Sequence, residues 1–208
     1  MSWTSGVGRA CGVLLDAIVR LLALSRINPN LLTLMGLVVN TYAAFLFGYA
    51  NGDNQRRMFF YAGLVIIGSG FFDLVDGRVA RLSNQVTRFG GFFDSIVDRY
   101  SDASLFFGLL VFYARGNRFF YVVLAALAMI SAIMVSYARA RAESLIGTCR
   151  VGFMERPERL VLLIIGALFD VMAPVMWVIA VLSTITVIHR AIYTWQRTTE
   201  MDTPARAA

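Results

Sequence analysis

Residues 73–98 read DLVDGRVARLSNQVTRFGGFFDSIVD, which places four aspartates within a largely apolar chain. They stand at positions 73, 76, 94 and 98, and Asp102 follows one helical turn later. Intervals of three and four residues bring side chains onto one face of a helix. Carboxylates so close together repel one another, and each costs roughly 2.5–3.5 kcal/mol inside a membrane span. Because divalent cations would remove both penalties, the spacing predicts a metal site in a membrane protein.

The apolar segments around this stretch set the fold class. The chain has 208 residues, of which 58% are hydrophobic. A span needs about 20 apolar residues. The third apolar segment, residues 91–114, reaches that length only if it includes the aspartates. The last segment is too long for one crossing and is interrupted by Asp170 and Pro174, which predicts a hairpin of two spans. The sequence thus predicts an all-α integral membrane protein with six transmembrane helices, drawn from segments 31–49, 58–72, 91–114, 119–137 and 160–189.

The two ends of the chain differ from this central part. Residues 1–28 contain apolar positions at helical spacing, interrupted by charged residues, which predicts an amphipathic helix lying in the membrane interface. Residues 29–197 form the predicted six-helix domain, and residues 198–208 form a short polar tail that we expect to be disordered. Cys11 and Cys149 both fall on the predicted cytoplasmic side, so we expect no disulfide.

The arginines predict the orientation in the membrane. All nineteen basic residues are arginine, and most lie before the first span, between spans two and three or four and five, or after the sixth. The opposite side holds only Arg56, Arg57, Arg115 and Arg118. The positive-inside rule then places both termini and the aspartates on the cytoplasmic side of the cell membrane. The net charge of +6 suits anionic lipid headgroups, and we expect membrane lipids and not nucleic acid as partners.

The residue types of the central motif suit phosphoryl transfer from a pyrophosphate. Carboxylates favour Mg²⁺ or Mn²⁺, so Asp73, Asp76 and Asp94 are candidate ligands and Asp98 is a further ligand or a base. Arg81 can hold a phosphate through two parallel donors. The small residues allow close approach of a nucleotide or of a second helix; they are Gly77, Ala80 and Gly90.

Eight positions at fixed spacing make this motif specific, and it resembles the signature of the CDP-alcohol phosphotransferase family. They are Asp73, Asp76, Gly77, Ala80, Arg81, Gly90, Asp94 and Asp98. A further segment, Pro29-Asn30-x2-Thr33-Leu34-x-Gly36, also resembles that family, so the likeness covers all but the tail.

The resemblance implies a specific reaction. Members of that family use the hydroxyl of an alcohol to displace CMP from a CDP-linked lipid, usually CDP-diacylglycerol. It implies two bound ions, an Asp98 that also deprotonates the acceptor, and contacts from Gly77, Arg81, Gly90 and Thr33 to the nucleotide. It also implies a homodimer.

A group of arginines predicts what the acceptor carries. Arg139, Arg156, Arg159 and Arg190 map to the same side as the aspartates, and Pro157 suits the first turn of the fifth helix. Together they predict a basic pocket for an acceptor that carries phosphate. The segments 136–143 and 155–160, which contain three of these arginines, resemble the phosphatidylinositol-phosphate synthases and their archaeal counterparts. This resemblance implies that the acceptor is inositol phosphate.

Several alternatives remain open at this point. Glycerol 3-phosphate is an alternative acceptor that would also require a basic pocket, as in a phosphatidylglycerophosphate synthase. The arginines have a simpler interpretation as membrane anchors, with Arg156 and Arg159 pairing locally with Glu155 and Glu158. Asp102 could support the metal site or pair with Arg99. Two other classes remain, a membrane prenyltransferase and a divalent-cation carrier.

Overall fold

The computed structural model describes residues 28–82 and 86–206, with backbone alone for Leu74, Asp76, Ala80 and residues 203–206. The regular secondary structure within these ranges consists of α-helices, which are joined by loops. The six helices are α1 Pro29–Tyr49, α2 Gln55–Leu82, α3 Arg88–Arg115, α4 Phe119–Ile146, α5 Arg156–Leu168 and α6 Met172–Arg206. The predicted amphipathic helix of residues 1–28 and Cys11 lie almost wholly outside the described residues.

Four of these helices are long and apolar enough to cross a membrane, against six predicted spans. They cover Pro29–Tyr49, Gln55–Val79, Phe119–Ile146 and Met172–Asp202. Helix α3 has the length but carries the charged residues of the motif in its first half. Helix α5 has 13 residues, about 20 Å of helix against a hydrocarbon thickness of about 30 Å. The predicted hairpin is therefore a short α5 joined to a long α6.

The packing of the helices forms a closed ring. Helix α1 contacts α2 and α3, α3 contacts α4, α4 contacts α6, α6 contacts α5, and α5 returns to α2. Phe59 joins Phe47 and Phe112 edge to face, with ring centroids 4.9 Å apart in both pairs. Gly108 lets α3 lie directly against α1, since a Cβ there would collide with the backbone of Ala44. This ring brings α2, α3 and α5 together at one end, where the candidate site lies.

The two ends of α6 show where the sequence was and was not informative. The break before α6 falls at the predicted place, because Asp170 adopts a left-handed φ of 55°. The tail was predicted to be disordered from Thr198, but α6 continues to Arg206. The Thr198 hydroxyl donates to the carbonyl of Thr194, and Arg197 pairs with Glu200 at 3.1 Å. These contacts within the helix account for its continuation.

Candidate active site

The site begins where α2 ends and α3 starts. Thr87 caps α3, because its hydroxyl accepts a hydrogen bond of 2.9 Å from the amide of Gly90. Gly90 fits this turn closely, since a Cβ there would lie 3.0 Å from the Thr87 hydroxyl oxygen. Residues 82–89 separate the two halves of the motif in sequence. Both halves lie at this end of the bundle, because residues of each line the same cavity.

Arg156, at the start of α5, reaches into the carboxylate cluster, which we define as Asp73, Asp98 and Asp102. Its Nη1 atom lies 2.7 Å from Asp73 Oδ2 and 2.9 Å from Asp98 Oδ1. Its Nε atom lies 3.4 Å from Asp102 Oδ1. A single guanidinium thus collects carboxylates from α2 and α3, and it has only 20% of its side chain exposed.

Two members of the carboxylate cluster, Asp73 and Asp98, are candidates for holding a divalent cation. Oxygen atoms of Asp73 and Asp98 come from different helices and already converge on one positive centre, which is the arrangement that a hard cation requires. Within the described side chains, which leave out that of Asp76, no three acidic, histidine or cysteine groups surround a common point. Because Arg156 contacts the same oxygens, a cation can take this position only if the guanidinium moves away.

A cavity of about 300 Å³ opens beside the carboxylates, at the lower end of the range for small-ligand sites. Four of the five predicted nucleotide contacts line it, namely Thr33, Gly77, Arg81 and Gly90. Asp94 also lines it, which places one predicted metal ligand at the border of this cavity. Sequence reasoning did not assign the other lining residues, which are Pro29, Asn30, Val86, Thr87 and Gly91. Ala80 and Asp76 lie on α2, but their side chains are not described.

Gly36 gives Asp73 its place between α1 and α2. A Cβ at position 36 would lie 3.3 Å from Asp73 Oδ1, tighter than ordinary contacts. The Ser69 hydroxyl donates to the Gly36 carbonyl at 3.2 Å and holds the two helices together one turn away. The segment that opens α1 therefore supports the carboxylate directly.

The four predicted arginines meet at this end of the bundle, but they are not equivalent. Glu155 joins two of them, accepting from Arg139 Nη1 at 2.9 Å and from Arg190 Nη2 at 2.7 Å. Arg190 also donates to the carbonyls of Val135 and Val151, and its side chain is 1% exposed. Arg139 keeps 40% of its side chain exposed.

Arg159 faces inward and pairs with Asp102. Its Nη2 atom lies 2.5 Å from Asp102 Oδ2, and its Nη1 atom donates to the carbonyl of Met154. The side chains are 2% and 7% exposed. Of the two alternatives for Asp102, pairing with Arg99 is not observed, since Arg99 donates to the carbonyl of Ser95. The alternative of local pairing for Arg156 and Arg159 is not what the structure shows, because both arginines pair with carboxylates of α2 and α3.

Sequence reasoning missed the part that Glu155 plays. The Glu158 side chain accepts a hydrogen bond of 3.0 Å from the amide of Glu155 at the start of α5, and Pro157 lies in the first turn as predicted. The E-x-x-E spacing and the proline together could have marked this helix start. The contacts of Glu155 with Arg139 and Arg190 span 16 and 35 residues, so no local pattern announces them.

Comparison with known proteins identifies the family of this chain. Residues 26–194 match the CDP-alcohol phosphatidyltransferase family. The chain therefore belongs to the CDP-alcohol phosphatidyltransferases, a class of membrane transferases of phospholipid synthesis. This assignment decides against the prenyltransferase and the cation carrier.

Individual relatives are similar to this chain over most of its length. The chain is 37% identical to an archaetidylinositol phosphate synthase of Pyrococcus horikoshii over 90% of this chain and 93% of that protein. It is 32% identical to a phosphatidylinositol phosphate synthase of Streptomyces avermitilis, over 87% and 78%.

Two solved structures share the fold. Both are phosphatidylinositol phosphate synthase of Mycobacterium tuberculosis. The one with CDP-DAG bound superposes with a TM-score of 0.78 at 30% identity, covering 87% of this chain and 93% of that chain. The one in complex with manganese and citrate gives 0.75 at 30% identity, covering 87% and 88%.

Proposed function

We propose that this protein transfers the phosphatidyl group of CDP-diacylglycerol to a hydroxyl of inositol phosphate and releases CMP. One observation carries the proposal: carboxylates from α2 and α3 converge on a cationic centre beside a cavity lined by the family motif. The arginines at the same end supply positive charge for an acceptor that carries phosphate. The names of its relatives support inositol phosphate over glycerol 3-phosphate.

The carboxylates of the motif would hold the metal. Asp73, Asp76, Asp94 and Asp98 are the proposed ligands of two Mg²⁺ or Mn²⁺ ions, and Asp94 lines the cavity one helical turn from Asp98. When bound, these ions would neutralise the diphosphate and stabilise the departing CMP.

The cavity would hold the cytidine diphosphate part of the donor. Arg81 would donate to a phosphate oxygen, while Gly77, Ala80 and Gly90 leave space for the nucleotide. Thr33 lies across the cavity at the start of α1 and would contact the nucleotide from the other side. The lipid tails would then extend from this end of the bundle into the bilayer.

The transfer itself needs one proton acceptor and a held nucleophile. Asp98 would take the proton of the acceptor hydroxyl, whose oxygen attacks the phosphorus that carries the lipid. A new phosphorus–oxygen bond forms there as the bond to the CMP oxygen breaks. Asp98 lies on α3, so its position is fixed by a helix and not by a loop.

The four arginines would divide the acceptor's recognition between them. Arg139 and Arg156 have the greater exposure and would contact the acceptor phosphate. Arg159 and Arg190 donate to buried protein groups, so they would position this pocket. A contact between either of them and the phosphate stays a prediction.

The same proposal includes the arrangement in the membrane. We propose a multi-pass protein of the cell membrane in which all six helices are embedded, with α3 and α5 shielded by the four apolar ones. The amphipathic N-terminal helix, cytoplasmic termini and active site, and a homodimeric assembly are parts of this proposal.

A panel of labelled acceptors tests the function. Purified protein is given CDP-diacylglycerol, Mg²⁺ and one of inositol 1-phosphate, glycerol 3-phosphate, serine or free inositol, and new lipid and CMP are measured. Inositol 1-phosphate should give the highest turnover, and free inositol should give little because it lacks the phosphate. Faster turnover with glycerol 3-phosphate would contradict the proposed acceptor and leave the reaction type intact.

A further inference from the structure

Two further cavities lie at the opposite end of the bundle from the carboxylates. The first, which we call the polar cavity for the charged and amide side chains in its lining, has a volume of about 240 Å³ and lies where the α1–α2 loop meets the α3–α4 turn. Two arginines and two amide side chains contribute to its lining, which is Ala50, Asn51, Gly52, Gln55, Phe112, Arg115, Gly116 and Arg118. This composition suits an anionic oxygen ligand.

The second cavity is an apolar groove along α1 and α3, with a volume of about 360 Å³. Its lining consists of Thr41, Ala44, Phe45, Gly48, Tyr49, Ser104, Phe107, Gly108, Val111 and Arg115. Phe45, Tyr49 and Phe107 are each more than half exposed, so the groove opens onto the outer face of the bundle. Arg115 lines both cavities, so the polar end and the apolar groove are continuous.

The position of Arg115 is fixed by the end of α1. Its Nη1 atom donates to the carbonyl of Gly48 at 2.5 Å, which holds the guanidinium at the junction of the two cavities. The nearby acids do not line the polar cavity: Asp170 accepts from Gln55 at 2.7 Å, and Asp53 lies in the α1–α2 loop. The cavity lining therefore carries positive charge only.

This pair of cavities lies one bilayer thickness from the proposed active site. Asp94 and Arg115 belong to the same helix and are 21 residues apart, which is about 30 Å at 1.5 Å per residue. The hydrocarbon core of a bilayer is about 30 Å thick. A lipid bound at Arg115 would thus belong to the other leaflet from a donor lipid at the carboxylates.

We propose that these cavities form a binding site for one anionic phospholipid of the leaflet opposite the active site. Its phosphate lies between Arg115 and Arg118, with Asn51 and Gln55 as further hydrogen-bonding groups. One acyl chain occupies the groove along α1 and α3. The proposal does not depend on the acceptor or on the metal, since it uses none of their residues.

Retention of lipid by the purified protein tests this site. The protein in detergent is mixed with phosphatidylglycerol or phosphatidylcholine, and native mass spectrometry measures the fraction that keeps one lipid. The unmodified chain should prefer phosphatidylglycerol. Arg115→Ala with Arg118→Ala should reduce that preference by about fivefold for each arginine removed.

The control variant makes the same charge change at the same end. Arg56→Ala with Arg57→Ala removes two exposed arginines of α2 that line neither cavity, and it should keep the preference. Equal loss in both double variants would overturn the proposal, because general surface charge would then explain the binding. Equal retention of the two lipids by the unmodified chain would overturn it as well.

The acyl-chain half of the site has its own test. Thr41→Trp should fill the groove and lower lipid retention, while Tyr42→Trp, at the next exposed position and outside the groove, should not. Excess inorganic phosphate should fail to displace phosphatidylglycerol. Displacement by phosphate, or equal retention in both tryptophan variants, would show that no lipid chain is bound there.

Discussion

Arg156 is the residue at which the acidic and basic groups of the site meet. It holds carboxylates of α2 and α3 with one guanidinium, and we propose that it also contacts the acceptor phosphate. A cation bound by Asp73 and Asp98 would displace the Arg156 Nη1 atom from their oxygens and leave the guanidinium available to a phosphate. Metal binding and acceptor binding should therefore be coupled through this one side chain.

Replacement of Arg156 tests that coupling. Arg156→Ala should raise the KM for inositol 1-phosphate on the order of tenfold, because a charge-assisted contact is lost. It should also tighten Mn²⁺ binding, measured by the electron paramagnetic resonance signal of the free ion, because the guanidinium no longer competes for the carboxylates. Arg141→Ala is the control, since Arg141 is exposed on α4 and its side chain donates a hydrogen bond to the nearby Ser144 and not to the carboxylates. Unchanged KM and Mn²⁺ affinity would leave Arg156 a purely structural role.

Asp98 is proposed both as a metal ligand and as the base, and its replacement tests the two roles together. Asp98→Asn keeps the size of the side chain but removes its basicity, so CMP release should fall on the order of 10²–10⁴-fold. Binding of CDP-diacylglycerol, measured by equilibrium filtration, should be retained because the cavity is lined by other residues. The matched control is Asp53→Asn in the α1–α2 loop. CMP release near that of the unmodified enzyme would contradict the assignment of Asp98 as the base.

Helix α5 is the element that the sequence describes least well. Its 13 residues are too few to span a membrane alone, so its position depends on contacts with its neighbours. The buried pair of Arg159 and Asp102 links it to α3, and its packing against α2 and α6 completes the ring. These contacts bring Arg156 to the carboxylates, so the position of α5 sets the geometry of the site.

Loss of one partner in that pair should destabilise the protein strongly. Arg159→Ala would remove the nearer counter-charge of the buried Asp102 carboxylate and leave only Arg156, 3.4 Å from its other oxygen, and breaking a buried pair costs up to about 3–5 kcal/mol. Thermal unfolding in detergent should show a clearly lower transition temperature than for the unmodified chain. Arg197→Ala should change it little, because Arg197 and Glu200 are both more than half exposed. Equal transition temperatures for the two variants would argue against the structural role of Arg159.

At the scale of the whole molecule, the helix ring joins a charged end to an apolar body. Removing divalent ions should stop CMP release, because the diphosphate and the carboxylates are then not neutralised. EDTA should abolish activity, and added Mg²⁺ or Mn²⁺ should restore it. Asp94→Asn should not be rescued to the same level at equal ion concentration, since its carboxylate is a proposed ligand. Turnover that persists in EDTA would contradict the metal site.

The sequence by itself determined the helices, the motif and the charged end. Apolar segments of spanning length predict helices, and the fixed spacing of the motif predicts that Gly77, Arg81 and Gly90 share one site; in the structure they line one cavity together with Thr33 of α1. These features are local, because helix formation and helix faces depend on residues three and four positions apart. The expectation of a disordered tail rested on its polar composition and left out the i, i+3 pair of Arg197 and Glu200, although the sequence itself contains that spacing.

Only the tertiary structure decided which charges meet. Arg156 contacts Asp73 across 83 residues, and Arg159 contacts Asp102 across 57. No periodicity in the sequence encodes such pairs, since they depend on how α5 packs against α2 and how α3 lies beside it. The sequence did not distinguish the four arginines of the predicted pocket. In the structure Arg139 and Arg156 remain accessible, whereas Arg159 and Arg190 are buried and donate to protein groups.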